Sequence, residues 1–168
     1  MNIIVRDPGE IVFRDKVLRC ALGRSGIAAK IGEGDGITPA GPHPLRSVLY
    51  RPDRLNAPQT GLPVRPLLRT DGWCDDPNHA DYNCPVRTPF EARHEKMWRE
   101  DALYDVVVVL GYNDAPVKPG LGSAIFMHVA KPEYGPTEGC VALAVKDLLE
   151  ILEHCTPDSQ IEIISPAP

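Results

Sequence analysis

Residues 105–110 read Asp105-Val106-Val107-Val108-Val109-Leu110, four β-branched residues in a row closed by a leucine. β-Branching stiffens χ1 and suits a pleated strand better than a helix. The run does not alternate between apolar and polar, so it predicts a strand covered on both faces. Such a strand needs two layers around it, and the rest of the chain supplies candidates. Ile3-Ile4-Val5 and Ile11-Val12-Phe13 flank the turn Asp7-Pro8-Gly9-Glu10, which predicts a hairpin. Residues 16–22, 43–50, 124–130 and 161–164 read as further strands. The strong helical signal is residues 145–154, where Val145, Leu148, Leu149 and Leu152 share one face. Residues 91–101 are a second, short helix candidate, with His94 on its solvated side. Eighteen prolines in 168 residues, about twice the usual share of ~5%, veto long helices elsewhere. Residues 51–90 therefore read as extended segments and ordered loop. The expectation is one mainly β domain over residues 1–168, a sandwich or barrel with one or two short helices.

Eighteen basic and 23 acidic residues give a net charge of −5. A nucleic-acid binder needs a basic face for phosphate, so that class is excluded. The longest apolar run is far below the ~20 residues of a membrane span. Met1-Asn2-Ile3-Ile4-Val5-Arg6-Asp7 has none of the features of a secretory leader, so the expected location is cytoplasmic, with reduced thiols, or periplasmic where a leader has been trimmed away. Five cysteines, an odd number, leave at least one outside any disulfide set. Gly32-Glu33-Gly34-Asp35-Gly36 has no P-loop lysine or helix after it, and no cofactor is implied.

Cys140 stands in Pro136-Thr137-Glu138-Gly139-Cys140-Val141-Ala142-Leu143, between a predicted strand and the strong helix. Gly139 permits a sharp turn and close approach of substrate. A site just ahead of a helix is expected to expose the sulfur to backbone N–H groups that favour thiolate. His128 lies twelve residues upstream on Ile125-Phe126-Met127-His128-Val129 and is a candidate base for that thiol. The same spacing also suits a buried structural cysteine and a satisfied core histidine. Trp73, Asp75, Asp76, Tyr82 and Asn83 form a polar-aromatic loop cluster, read either as a substrate wall or as a loop knitted by its own turns. Tyr112 is likewise a rim or turn residue. Cys74, His79 and Cys84 suggest a mixed zinc site, but they lack any tight Cys-x2-Cys or His-Glu-x-x-His spacing, and no metal is assigned. Cys20 and Cys155 read as packing residues.

Thr137-Glu138-Gly139-Cys140-Val141-Ala142-Leu143 with His128 upstream resembles the catalytic signature of the L,D-transpeptidases, the YkuD-type domain. Gly34-Asp35-Gly36-Ile37-Thr38-Pro39-Ala40-Gly41 resembles the Thr-Pro-x-Gly element of the same family. The motif is of a subgroup with Thr-x-Gly-Cys-Val-Ala in place of the commoner Ser-His-Gly-Cys-x-Arg. The resemblance implies a YkuD-like β fold, Cys140 as nucleophile and His128 as base. It further implies Gly139 and Cys140 amides as oxyanion donors and Thr137 as brace of the turn. The Val129 carbonyl would hold the imidazole tautomer. Glu138 would set a negative charge beside the thiol, and Ala142 replaces an arginine that could anchor a substrate carboxylate.

The expected partner is a peptidoglycan stem peptide or muropeptide, with the L-centre carbonyl of its diamino acid attacked and terminal D-alanine expelled. Passing the acyl group to water makes an L,D-carboxypeptidase, the outcome that suits a cytoplasmic enzyme of muropeptide recycling. Passing it to an amine makes a transpeptidase that forms or exchanges cross-links. A binding module that keeps the fold without catalysis is the alternative outside enzymology. Oligomeric state has no signature in the sequence.

Overall fold

The computed structural model describes residues 2–167. The N-terminal half carries β1 (Asn2–Arg6), β2 (Glu10–Phe13), β3 (Lys16–Ala21), β4 (Ile27–Ala28), β5 (Thr38–Pro39), β6 (Gly41–Tyr50), β7 (Val64–Pro66) and β8 (Asp71–Cys74). The remainder carries β9 (Pro85–Arg87), β10 (His94–Lys96), β11 (Val106–Leu110), β12 (Phe126–Val129), β13 (Val141–Leu143), α1 (Val145–Glu153) and β14 (Gln160–Ile164). The hairpin at the start forms, with Ile3 opposite Phe13 and Val5 opposite Ile11.

Hydrogen bonding runs β11-β12-β13-β3-β2-β1-β14-β6-β7, and β6 also pairs with β11, which closes the sheet into a barrel. Closure removes the two edges this sheet would have without the β6–β11 pairing and leaves β7 as a short edge strand beside β6. The barrel interior holds Ile3, Val5, Ile11 and Phe13 with Val106, Val108, Met127, Val141 and Leu143. Helix α1 adds Leu148, Ile151 and Leu152, whereas Val145 stands 40% exposed at its first turn. Ile151 thus takes the place in the buried stripe that the sequence pattern assigned to Val145.

The valine run is covered twice, as its lack of alternation requires. Val106 and Val108 face the barrel interior, while Val107 and Val109 join Leu49, Trp73, Met97, Tyr104 and Phe126 in a second core. That second core lies under a three-stranded sheet, β10-β8-β9, and the chain that follows it. Residues 91–101 form no helix: they hold β10 and irregular backbone. The carbonyls a helix would use are taken instead by arginines. Arg51 Nη1 donates to Arg99 O, and Arg54 donates to Glu100 O at 2.8 Å and Asp101 O at 2.7 Å. The Arg51 guanidinium also sits 3.9 Å from the Trp98 ring centre, pinning the segment from behind. His94, expected on a solvated helix face, is half-buried on β10, with Nδ1 2.8 Å from Ala92 O.

Candidate active site

Strands β12 and β13 are parallel, and His128 lies opposite Ala142. Alternate residues of a strand share a face, so Cys140, two before Ala142, falls on the side of His128. Both line a cavity of about 710 Å³ that opens between the barrel and the 93–104 segment. Gly139 makes the turn into Cys140 at φ 135°, and a Cβ there would come 2.7 Å from Ile37 O. Only glycine meets both conditions. Thr137 Oγ1 accepts from Gly139 N at 3.1 Å and donates to Cys140 O at 2.7 Å. The loop that crowds Gly139 is rigid for a visible reason. Asp35 accepts from the Ile31, Gly32 and Ile37 amides and pairs with the buried Lys30 at 2.5 Å, while Thr38 Oγ1 accepts from Gly23 N at 2.8 Å.

The Cys140 sulfur donates to Ala124 O at 3.3 Å and accepts from Phe126 N at 3.4 Å. Burial, then the negative charge of Glu95, push the thiol up to about 12, against the Phe126 amide. The expected helix-assisted thiolate is therefore corrected. The helix starts five residues later, beyond β13, and among the described residues Phe126 N is the one backbone amide bonded to the sulfur. Burial likewise pushes His128 down to about 4. Its Nδ1 lies 2.9 Å from Val129 O. A carbonyl only accepts, so Nδ1 carries the proton and Nε2 is left as the basic nitrogen. The free site is a neutral thiol and a neutral imidazole lining one cavity.

Other residues named from the sequence divide into lining and support. Glu138 and Thr137 line the cavity, as does Asp75. Glu138 is 77% exposed and pairs with Arg24 at 3.2 Å, so the acid that opposes the thiolate is Glu95 rather than Glu138. Gly139 N is committed to Thr137, which leaves the Cys140 amide as the turn's candidate oxyanion donor. The Val129 side chain belongs to the barrel interior, and its carbonyl alone reaches the site.

Trp73, Tyr82, Asn83 and Tyr112 do not line the cavity, and the substrate wall proposed for them is corrected to a supporting layer behind it. Their polar atoms are consumed internally. Asn83 Oδ1 accepts from Trp73 Nε1 and Ala124 N, both at 3.0 Å, and its Nδ2 donates to Tyr112 O and Asn113 O. Tyr82 OH donates to Glu33 and accepts from Gly122 N at 2.9 Å. Tyr112 OH donates to Leu121 O at 2.6 Å. Ala124 sits at φ 55°, a strained setting for alanine. Asn83 holds it there, and its carbonyl then meets the Cys140 sulfur. Asn83→Ala strands these partners and is expected to cost about 2–4 kcal/mol, read as a fall in denaturant midpoint at unchanged slope.

Cys74 and Cys84 are free, as are the other three cysteines. His79 bonds Glu91 at 3.2 Å and accepts from Asp81 N at 3.0 Å. Among the described residues no three Cys, His, Asp or Glu side chains converge as for a metal. Lining residues that sequence reasoning did not single out include Glu95, Arg99 and Tyr104, all from the segment read as a helix or its continuation, with Lys30 and Lys131 from elsewhere.

A thiol and an imidazole on one face of adjacent parallel strands, inside a charged cavity, suit cysteine acyl transfer on a β-barrel. The family model of the L,D-transpeptidase catalytic domain, YkuD, matches residues 3–163, and the chain belongs to that family. It is a catalytic domain of L,D-transpeptidase type, directed at peptidoglycan peptides. No curated protein and no solved structure matches the chain.

Proposed function

We propose that this domain is an L,D-carboxypeptidase that removes terminal D-alanine from peptidoglycan stem tetrapeptides through a Cys140 acyl-enzyme. The observation that carries the reading is the bond from His128 Nδ1 to Val129 O, which leaves Nε2 basic in the cavity that holds the thiol. Nε2 takes the Sγ proton as sulfur attacks the L-centre carbonyl. The peptide C–N bond breaks, the D-alanine amine leaves with that proton, and a thioester remains. Water then attacks the thioester and gives a proton to Nε2, the C–S bond breaks to release the tripeptide carboxylate, and the proton passes to the departing sulfur. The Cys140 amide would face the oxyanion.

Lining charges of both signs, Lys30, Arg99 and Lys131 against Glu33, Asp75 and Glu138, support a short zwitterionic peptide as substrate. A soluble peptide of this kind belongs to muropeptide recycling, and the proposal includes a cytoplasmic setting. Transfer to an amine is the second reading, favoured by the activity for which the family is named. Mass spectrometry of a synthetic tetrapeptide incubated with and without an amine acceptor separates the two. Tripeptide is the expected product in both mixtures. A dominant exchanged or cross-linked product would replace hydrolysis by transpeptidation. Binding with neither product nor a covalent adduct on Cys140 would leave a binding module.

A further inference from the structure

Glu95 lies on β10, and its Oε1 accepts a hydrogen bond from the Tyr104 hydroxyl. Tyr104 in turn packs edge-on against His128, with ring centres 5.3 Å apart, and against Phe126 at 5.9 Å. The carboxyl is thereby held in the cavity of the thiol and the imidazole. Both arginines of the same wall are engaged elsewhere. Arg93 pairs with Asp75 at 3.1 Å and Arg99 with Asp101 at 2.7 Å. Lys30, across the cavity, is committed to Asp35. Glu95 thus brings into the cavity an acidic group that forms no direct ion pair among the described residues, with only the Arg99 charge acting on it from further off, and it opposes ionisation of the nucleophile. A carboxylate withdrawn from water without a counter-charge is costly. A ligand that supplies the missing cation removes that cost.

We infer that Glu95, oriented by Tyr104, binds the free ammonium on the side chain of the substrate's diamino acid and selects peptides that carry it. This rests on the acyl-transfer reading of the site given above. The assignment also links recognition to chemistry. The groups acting on Glu95 are Tyr104, Arg99, Asp75 and Glu33, and burial and the two acids favour its protonated form. An arriving ammonium draws it to the ionised form and neutralises it there, so the bound substrate does not leave a bare negative charge facing the sulfur. A peptide whose side-chain amine is acylated gains nothing from Glu95.

The test compares tetrapeptides with a free or an N-acetylated side-chain amine on the diamino acid, in lysyl and diaminopimelyl versions. The wild-type enzyme is expected to prefer the free amine about 10- to 100-fold in kcat/KM, the loss associated with one charge-assisted hydrogen bond. Glu95→Gln should collapse that preference towards unity by slowing the free-amine peptide, and Tyr104→Phe should reduce it partway. The wild-type comparison stands even where a variant folds poorly. Equal use of both peptides by the wild type overturns the assignment while leaving the acyl-transfer reading intact. A Glu95→Gln variant that slows both peptides equally also overturns it, because Glu95 would then act on the chemistry. Failure of the wild type to be acylated by either peptide brings down both readings together.

Discussion

Replacing Cys140 with alanine is expected to abolish turnover of a stem tetrapeptide, a fall of about 10⁴-fold or more. The thioester needs the sulfur, and among the described residues no other cysteine lines the cavity. Cys140→Ser should remain at least about 10³-fold down, since a neutral imidazole titrating near 4 is a weak base for a hydroxyl. Neither change should unfold the protein. The sulfur's two hydrogen bonds, to Ala124 O at 3.3 Å and from Phe126 N at 3.4 Å, are long, and each is worth about 1 kcal/mol or less. Tripeptide release by mass spectrometry and the thermal midpoint are the measurements. Folded Cys140→Ala with more than about a hundredth of wild-type turnover would remove Cys140 from the nucleophile's role.

The second large effect is on pH. His128 is pushed down to about 4 and the Cys140 thiol up to about 12. Between those values the free site keeps one protonation state, a thiol with a neutral imidazole. The thiol–imidazole pair is therefore expected to add no inflection to the kcat/KM profile between about pH 5 and 9, in particular none near the 6.5 of an ordinary histidine. An acid-side rise belongs to Glu95, whose carboxyl burial pushes up. A bell with limbs near 6 and 8 would mean a preformed thiolate–imidazolium pair instead. The same shift acts on stability. The unfolded chain binds the His128 proton near pH 6.5 and the folded chain only near 4, so between these values the unfolded state carries more protons. Stability from the buried neutral ring is fully present above pH 6.5 and declines as pH falls towards 4. A shift of that size is linked to about 3 kcal/mol. His128→Gln lacks this titration, so its unfolding free energy should vary less with pH across the window. Its turnover should fall by about 10²–10⁴. An unaltered acid slope in the variant would assign the loss of stability to other groups.

The chain's strands were largely readable, because burial on one or both faces writes itself into residue order. The four valines declare two covered faces, and the β1–β2 hairpin declares its turn. Residues 91–101 misled because their apolar and charged residues mimic a short helix. Arg51, Arg54 and the buried Met97, more than forty residues of sequence away in the case of the arginines, decide that segment's backbone. No local pattern can register a partner that distant. The cluster of Trp73, Tyr82 and Asn83 was recognisable as unusual, but its direction was not. Asn83 at φ 58° turns its amide inward to Ala124 and Trp73, and that inward turn makes it a support instead of a lining residue.

By itself the sequence determined a mainly β chain, singled out Cys140, Gly139 and His128, and placed them in a family signature. These are local properties: a period of two, a glycine before a thiol, a histidine on an apolar strand. Tertiary structure alone decided the charge state of the pair, since burial sets it and burial is a sum over residues remote in sequence. It also replaced Glu138 with Glu95 as the acid facing the sulfur. Two residues from Cys140 in sequence, Glu138 turns outward to Arg24 at the cavity's exposed side, while Glu95, forty-five residues before Cys140, is set on the cavity wall by β10. Coulomb interaction depends on distance through space and on the medium between the charges, and the order of residues along the chain encodes neither.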